Sequence, residues 1–191
     1  AHAILDPKQK GCEYPFKELC GCGVGFKLLQ AFCERNNEDF NRLYAKADLL
    51  AISIAADIVP ITGENRILAT FGVQQINESP STGIQAMLKY AKIDRPLTIS
   101  DVVFIIGPRI NAAGRIASGK RAVELLISDD LDDALKFSEE ISNYNTERRT
   151  LDKSVTDGAL EIVETEDFYS ESKSTLVFNK YWHKGVVGIV A

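Results

Sequence analysis

The chain has 191 residues, of which 45% are hydrophobic and 26% are charged, a composition typical of globular proteins rather than of disordered or fibrous ones. No uncharged apolar run reaches the roughly 18 to 20 residues of a membrane-spanning helix, and no basic-then-apolar leader opens the sequence. A cytoplasmic protein is therefore expected. The four cysteines lack the spacing of a zinc site, so reduced thiols are predicted at Cys12, Cys20, Cys22 and Cys33.

The net charge of −5 is unevenly distributed along the chain. Residues 124–171 hold 15 acidic and 4 basic side chains, a net charge of −11, whereas the rest of the chain carries +6. The acidic stretch is predicted to be mainly one solvated helix. The overall negative charge therefore does not exclude a nucleic-acid partner for the remainder.

Apolar residues spaced by three or four predict a series of helices. The first two are Phe16–Arg35 and Phe40–Ile58, and the second becomes apolar nearly all round after Ala47, so it should be buried. Because Val59 precedes a proline, this second helix should end near Asp57. Shorter helices are predicted at Glu64–Asn77, Thr82–Ala91, Ile99–Asn111 and Lys120–Ile127.

Two capping residues and one long periodic segment complete the helical pattern. Thr98 and Asp101 form a capping arrangement at the start of the helix that begins at Ile99. Asp130–Glu166 predicts one long helix of the kind that bridges domains, with a weak point at Gly158. The remaining segments are a polar linker and two short strands: Ser170–Ser174, Ala3–Leu5 and Leu176–Phe178.

Asp57 is an acid inside an apolar run, at the end of a helix where the dipole disfavours negative charge. A buried carboxylate needs a cation or several hydrogen-bond donors. One interpretation is a structural partner such as Arg66 or local backbone N–H groups. The other is a metal ligand that faces a cleft, because perturbed carboxylates gather at functional sites.

Two further segments combine basic or imidazole side chains with small residues. Gly107–Arg115 places two guanidinium groups and an amide among small residues, which suits either phosphate binding or a close helix contact. Trp182–Gly188 places His183 before two glycines, which suits either phosphate binding through backbone N–H groups or a plain strand-to-helix turn. His2 has no neighbouring acid or second histidine and is interpreted as a surface residue.

Together these segments resemble the RecJ family of the DHH/DHHA1 phosphoesterase superfamily, over essentially the whole chain. Gly107–Arg115 is the most specific match, and Ala56–Pro60 with Gly63–Arg66 is similar to the family's fourth phosphoesterase motif. Three segments resemble the stretch just after the family's DHH signature: Asp6–Gln9, Tyr14–Leu19 and Gly23–Leu28. Asn145–Arg149 resembles the connecting helix, and Trp182–Ala191 resembles the opening of the DHHA1 domain.

The resemblance implies an α/β, predominantly helical fold in three parts. Residues 1–128 would be the C-terminal part of a DHH domain, 129–169 a long connecting helix and 170–191 the beginning of a DHHA1 domain. The sequence also starts and stops in mid-pattern, which favours a fragment of a longer protein.

The implied activity is processive 5′-to-3′ hydrolysis of single-stranded DNA in repair and recombination, with two Mn²⁺ or Mg²⁺ ions held by aspartates and histidines. The implied partners of the intact protein, a monomer without membrane association, are a single-strand-binding protein and a helicase. By motif, Asp57 would be the catalytic metal ligand. The substrate-binding residues would be Arg109, Asn111, Arg115, His183, Gly185 and Gly188.

The family's paired aspartates, its second-motif aspartate and the DHH triplet are absent from the sequence and would lie before Ala1. The chain alone is therefore predicted to lack nuclease activity, although its +6 portion should bind single strands weakly and in a salt-dependent way. Two other functions stay open. One is a DHH phosphodiesterase for short oligonucleotides or cyclic dinucleotides, against which the Gly107–Arg115 motif argues. The other is a non-catalytic replication scaffold, against which Asp57 argues.

Overall fold

The structure, a computed structural model, describes residues 3–165 and 173–191. Within these two ranges the regular secondary structure is entirely helical, which confirms the predominantly helical prediction, and no helix there has the length and apolar character needed to span a bilayer. The elements are α1 (Gly21–Asn36), α2 (Asn41–Tyr44), α3 (Ala47–Ala56), α4 (Gly63–Glu78), α5 (Thr82–Tyr90), α6 (Ile99–Asp101), a π-helical segment (Val102–Ile106), α7 (Gly107–Ile116), α8 (Lys120–Leu126), α9 (Leu131–Thr165) and α10 (Val187–Val190).

Helix α1 begins five residues later than the sequence pattern suggested. Cys20 is extended, with φ −68° and ψ 164°, and its Sγ accepts a hydrogen bond from the Gly23 N–H at 3.3 Å. This side chain therefore acts as the N-cap. The apolar residues before Cys20 have helical spacing but are not part of the helix. The helix ends at Asn37, whose left-handed backbone (φ 54°) is a common way to terminate a helix.

The predicted helix Phe40–Ile58 is divided into α2 and α3. Ala45 and Lys46 separate the two helices, and the ring of Tyr44 packs edge-on against Phe40 with centroids 4.6 Å apart. The predicted burial of the second half is confirmed, since Leu50 and Ile54 are almost completely buried. Because α2 is short and is separated from α3, the rings of Phe40 and Tyr44 can pack against α1.

Helix α3 lies at the centre of the fold because its neighbours approach it through small residues. Gly72 of α4 sits against the Ala47 carbonyl and the Ala51 methyl, with no room for a side chain. On its other sides α3 contacts α1, the π-helical segment and α7. Full burial of an aliphatic side chain contributes about 1.5–3 kcal/mol. The fully buried apolar residues of the main core are Ala51, Ile84, Ala86, Val102, Ala113, Leu125, Ala134 and Ile141.

Helix α9 is the longest element and covers α5, α7 and α8. Its 35 residues correspond to about 52 Å at 1.5 Å per residue. The sequence predicted Asp130–Glu166; the structure has Leu131–Thr165, it continues without a break through Gly158, and Glu166 lies outside the described residues. A glycine inside a helix weakens it but does not end it when tertiary contacts hold both sides.

The two predicted strands are not present in the described part of the chain. Residues 3–5 and 176–178 have no regular secondary structure, and Leu176 and Phe178 are 87% and 83% exposed. A strand forms only where a second strand aligns with its backbone, which a local apolar run cannot guarantee. Most of the predicted linker 170–174 lies outside the described residues.

Candidate phosphate-binding and metal-ligand residues

Asp57 lies at the C-terminal end of α3 and is exposed to solvent. Its backbone N–H donates to the Ser53 carbonyl at 2.9 Å, and its carboxylate accepts a hydrogen bond from the Ser53 hydroxyl at 3.2 Å. No ion pair joins it to Arg66 or to any other described cation. Ile58, the next residue, has a left-handed backbone (φ 53°) and turns the chain sharply away. The carboxylate is therefore free to bind a ligand from outside the described residues.

The buried acid of this region is Asp48, which the sequence did not single out. Its side chain is fully buried at the start of α3. One carboxylate oxygen accepts from the Leu49 N–H at 2.7 Å, and the other accepts from the Ser81 N–H at 2.8 Å. The first turn of a helix favours an acid electrostatically, so the position of Asp48 at the start of α3 could have identified it from the sequence. The inference that Asp57 is buried was wrong, because Asp57 is the C-cap residue of α3, where the helix ends and the chain turns into solvent.

Asp57 stands without the other ligands that a metal ion requires. Among residues 3–165 and 173–191, no group of three or more histidine, cysteine or acidic side chains is close enough to hold an ion. The Cys22 thiol lies within electrostatic reach of the carboxylate. Its pKa is raised to about 11 by desolvation, by Cys20 and by the charge of Asp57. A thiol protonated at neutral pH is a poor metal ligand. The described residues therefore do not form a two-ion site by themselves.

The Gly107–Arg115 segment enters its helix through a π turn. The predicted capping box is confirmed: Thr98 and Asp101 bond each other's backbone N–H groups at the start of α6. Pro108 lacks an N–H and its ring would collide with a carbonyl one α-helical turn earlier. The wider π turn removes that collision, and the Gly107 N–H bonds the Val102 carbonyl instead of a closer one. The helical backbone thus continues through Pro108 into α7.

The same turn fixes Arg109. Its Nη1 donates to the Ile105 carbonyl at 2.5 Å, while its Nε is buried without a partner. The pKa of Arg109 is lowered by burial and by the nearby charge of Arg149 on α9. No acidic side chain among the described residues pairs with either arginine. Two guanidinium groups without a counter-ion among the described residues are a candidate site for an anion.

Gly107 brings the start of α7 close to Asp57. A Cβ on Gly107 would lie 3.8 Å from the Ala56 methyl, so the start of α7 packs directly beside the end of α3. Asp57 follows Ala56 and Arg109 follows Gly107 by two residues. The structure thus brings together the most specific motif and the candidate metal ligand.

The other predicted residues form a second cluster on a different face of α7. Residues two apart on a helix are about 200° apart, so Asn111 points away from Arg109, whereas Arg115 lies within about 40° of Asn111. Asn111 is exposed. Arg115 donates from Nη1 to the Gly185 carbonyl at 3.2 Å, and the Gly185 N–H donates to Nδ1 of His183 at 3.1 Å. Arg115, His183 and Gly185 therefore build a joint between α7 and the C-terminal segment.

Gly188 belongs to α10 and has open space around its Cα, so it is not needed for that joint. Arg149 is the site residue that the sequence did not identify. It was noted only as part of a family-like helix segment, because its closeness to Arg109 depends on the packing of α7 on α9.

Comparison with known proteins agrees with the sequence resemblance. No family model matches the chain. The chain is 38% identical over 190 residues to the single-stranded-DNA-specific exonuclease RecJ of Bacillus subtilis, which covers 99% of the chain and 23% of that protein. It is 33% identical over 207 residues to RecJ of Escherichia coli, which covers 100% of the chain and 35% of that protein. The chain thus spans about a quarter to a third of the length of these relatives.

Solved structures give the same result for the fold. A magnesium-bound RecJ from Thermus thermophilus superposes with a TM-score of 0.82 at 31% identity, over 94% of this chain and 27% of that one. A manganese-bound exonuclease RecJ gives 0.81 at 32% identity, over 94% and 44%. In sequence and in fold this chain is similar to a helical segment of RecJ exonucleases. The resemblance to that family is therefore confirmed.

Proposed function

We propose that the chain is part of a RecJ-type exonuclease that degrades single-stranded DNA from its 5′ end. The observation that carries the proposal is the packing of Gly107 against Ala56. It places the exposed carboxylate of Asp57 beside the helix that holds Arg109, whose guanidinium has no acidic partner among the described residues. A carboxylate for a metal ion and a cation for phosphate, carried by two helices that pack together, are the combination that phosphodiester hydrolysis needs.

In this proposal Asp57 supplies one ligand to Mn²⁺ or Mg²⁺, and Arg109 binds a phosphate. Such ions, when bound, would activate water and stabilise charge on the phosphate. Because the described residues hold no second cluster of ligands, no step of the hydrolysis is assigned to this chain alone. Arg115, His183 and Gly185 position the C-terminal segment against α7, and Asn111 is free to contact the strand on the same face. Gly188 would leave room there for the strand's backbone.

The same proposal includes the organisation of the chain and its surroundings. Residues 1–128 form the C-terminal part of a DHH domain, residues 129–169 the connecting helix and residues 170–191 the beginning of a DHHA1 domain. The intact enzyme acts as a cytoplasmic monomer in repair and recombination, with a single-strand-binding protein and a helicase as accessory partners.

Two assays of the purified chain test the proposal. With Mn²⁺ the chain should not degrade single-stranded DNA beyond an Asp57→Ala control, because one carboxylate cannot hold two ions. At low salt the chain should bind a fluorescent oligothymidylate, and Arg109→Ala should weaken that binding about tenfold or more, since a charge-assisted bidentate contact is lost. Arg42→Ala, a substitution of an exposed arginine on α2, is the matched control. Absence of binding by the unsubstituted chain would contradict the DNA interface.

The alternative phosphoesterase and scaffold functions can be separated with a longer polypeptide. A version extended to the full length of the relatives should degrade long single strands and leave cyclic dinucleotides intact. Preferential cleavage of dinucleotides would favour the oligonucleotide phosphodiesterase. Binding without any hydrolysis would favour the scaffold.

A further inference from the structure

Helix α9 carries four basic residues among nine acidic ones, and two of the four have no acidic partner among residues 3–165 and 173–191. Lys136 and Arg148 each contact an aspartate of the same helix, at 2.8 and 3.8 Å. Arg149 and Lys153 make no ion pair with any described residue, although they lie on the same acid-rich helix. An unpaired cation is unexpected on a helix that offers so many carboxylates, and two such cations one turn apart indicate a shared role.

Both unpaired cations lie on one open face of α9, called the groove below, which residues of that helix alone form. Three lining residues near them have short side chains that leave space above the helix: Thr146, Thr150 and Ser154. The two threonine hydroxyls donate back to carbonyls of their own helix, at 3.1 and 3.2 Å. These hydroxyls are therefore not available as donors to a ligand. The groove instead offers an anion the two positive charges of Arg149 and Lys153.

The two ends of the groove carry opposite charges. Its basic half faces α7, where Arg109 lies close enough to Arg149 for the two charges to interact. Its other half carries Asp157 and Glu161, which repel phosphate. Two cations without counter-ions among the described residues, Arg109 and Arg149, thus lie at one end, Lys153 follows one turn further along α9, and the acidic end limits the site to a few phosphates.

We infer that Arg149 and Lys153 bind successive backbone phosphates of a single DNA strand, continuing the contact that begins at Arg109. This inference deepens the proposed function and rests on it. Residues one helical turn apart have Cβ atoms about 6 Å apart, and both side chains are long enough to reach different phosphates. Because the groove presents cations and no aromatic ring, it should bind the backbone without regard to base sequence.

The test is a fluorescence-anisotropy titration of the 191-residue chain with a labelled oligothymidylate at several salt concentrations. The variants are Arg149→Gln, Lys153→Gln, the double variant and Arg149→Lys, which retains the charge. The matched control is Lys136→Gln, which removes one charge from the same helix outside the groove. Each phosphate contact with a single strand contributes about 0.7 to the slope of log K against log salt. The double variant should therefore bind about tenfold or more weakly and lose about 1.4 from that slope.

Arg149→Lys should retain most of the affinity and nearly the full slope, and Lys136→Gln should match the unsubstituted chain. Circular dichroism should show unchanged helicity for all variants, because both groove cations are exposed. If the chain binds the oligonucleotide but the double variant binds equally well with the same slope, the groove inference is wrong and the proposed function stands. If the unsubstituted chain does not bind, both are contradicted.

Discussion

Arg115 contacts Gly185 through both its side chain and its backbone. Nη1 of Arg115 donates to the Gly185 carbonyl at 3.2 Å, and the Arg115 carbonyl lies directly against the Gly185 Cα. A Cβ at position 185 would come under 3.0 Å from that carbonyl. This contact fixes the C-terminal segment on α7.

The first prediction concerns this joint. Gly185→Ala should release residues 182–186 from α7, because a methyl group cannot be accommodated against a backbone atom. The chain has one tryptophan, Trp182, which packs near Gly158 of α9. Its fluorescence emission should therefore shift to longer wavelength in the variant. Gly188→Ala is the control, since nothing lies near a Cβ there. An unchanged spectrum for Gly185→Ala would show that the joint tolerates a side chain.

The second prediction concerns the closest helix contact of the core. Gly72→Ala should lower the free energy of unfolding by about 1–3 kcal/mol or more, because the methyl group would overlap the Ala47 carbonyl and the Ala51 methyl. Gly25→Ala on α1 has open space and should raise stability by about 0.5–1 kcal/mol through helix propensity. Urea denaturation measures both. Equal stability of the two variants would mean that α3 and α4 can separate at little cost.

The third prediction separates the two acids of α3. Asp48→Asn should lower the free energy of unfolding by about 1–3 kcal/mol, because the new amide group cannot accept from both the Leu49 and Ser81 N–H groups. Asp57→Asn should change it by less than about 0.5 kcal/mol, since that side chain is exposed. Thermal and urea unfolding provide the comparison. A large loss of stability in Asp57→Asn would assign Asp57 a structural role.

The fourth prediction is a pH dependence at the start of α6. Hydrogen bonds from Arg95 and Thr98 hold the pKa of Asp101 well below its usual range. A carboxyl group whose pKa is lower in the folded state stabilises the fold above its unfolded pKa of about 4, and that contribution is lost as the pH falls below it. The stability difference between the unsubstituted chain and Asp101→Asn should therefore be constant from about pH 5 to 7 and shrink at lower pH. A difference that does not vary with pH would exclude an ionic contribution.

The sequence predicted the helices whose limits are set locally. Thr98 and Asp101 marked a helix start, and turn residues around Ser79 separated α4 from α5 within one residue of their observed limits. The start of α1 was misplaced because Cys20 is an uncommon N-cap. Helix α2 was merged with α3 because both have apolar residues in helical spacing.

The candidate site, like the helix limits, could be predicted only where it depends on residues close in sequence. Arg109 and Asp57 lie in motifs and could be selected from the sequence, whereas the roles of Arg149 and Asp48 depend on packing between distant segments. Arg109 and Asn111 were grouped together because they are close in sequence, although a helix directs residues two apart to opposite sides. A motif defines which residues are present, and only the folded helix defines which of them share a surface.

The π turn at Val102–Ile106 makes the Gly107–Arg115 motif sensitive to chain length. Each residue of an α-helix advances the next by about 100°. The π turn holds one residue more than an α-helical turn at about the same total rotation, so deletion of a single residue there would restore regular winding. It would also bring back the collision between the Pro108 ring and the carbonyl one α-helical turn earlier. The motif could then be intact in every letter and still carry a proline that the preceding turn cannot accommodate, which makes the five residues before Gly107 as constrained in number as the motif is in composition.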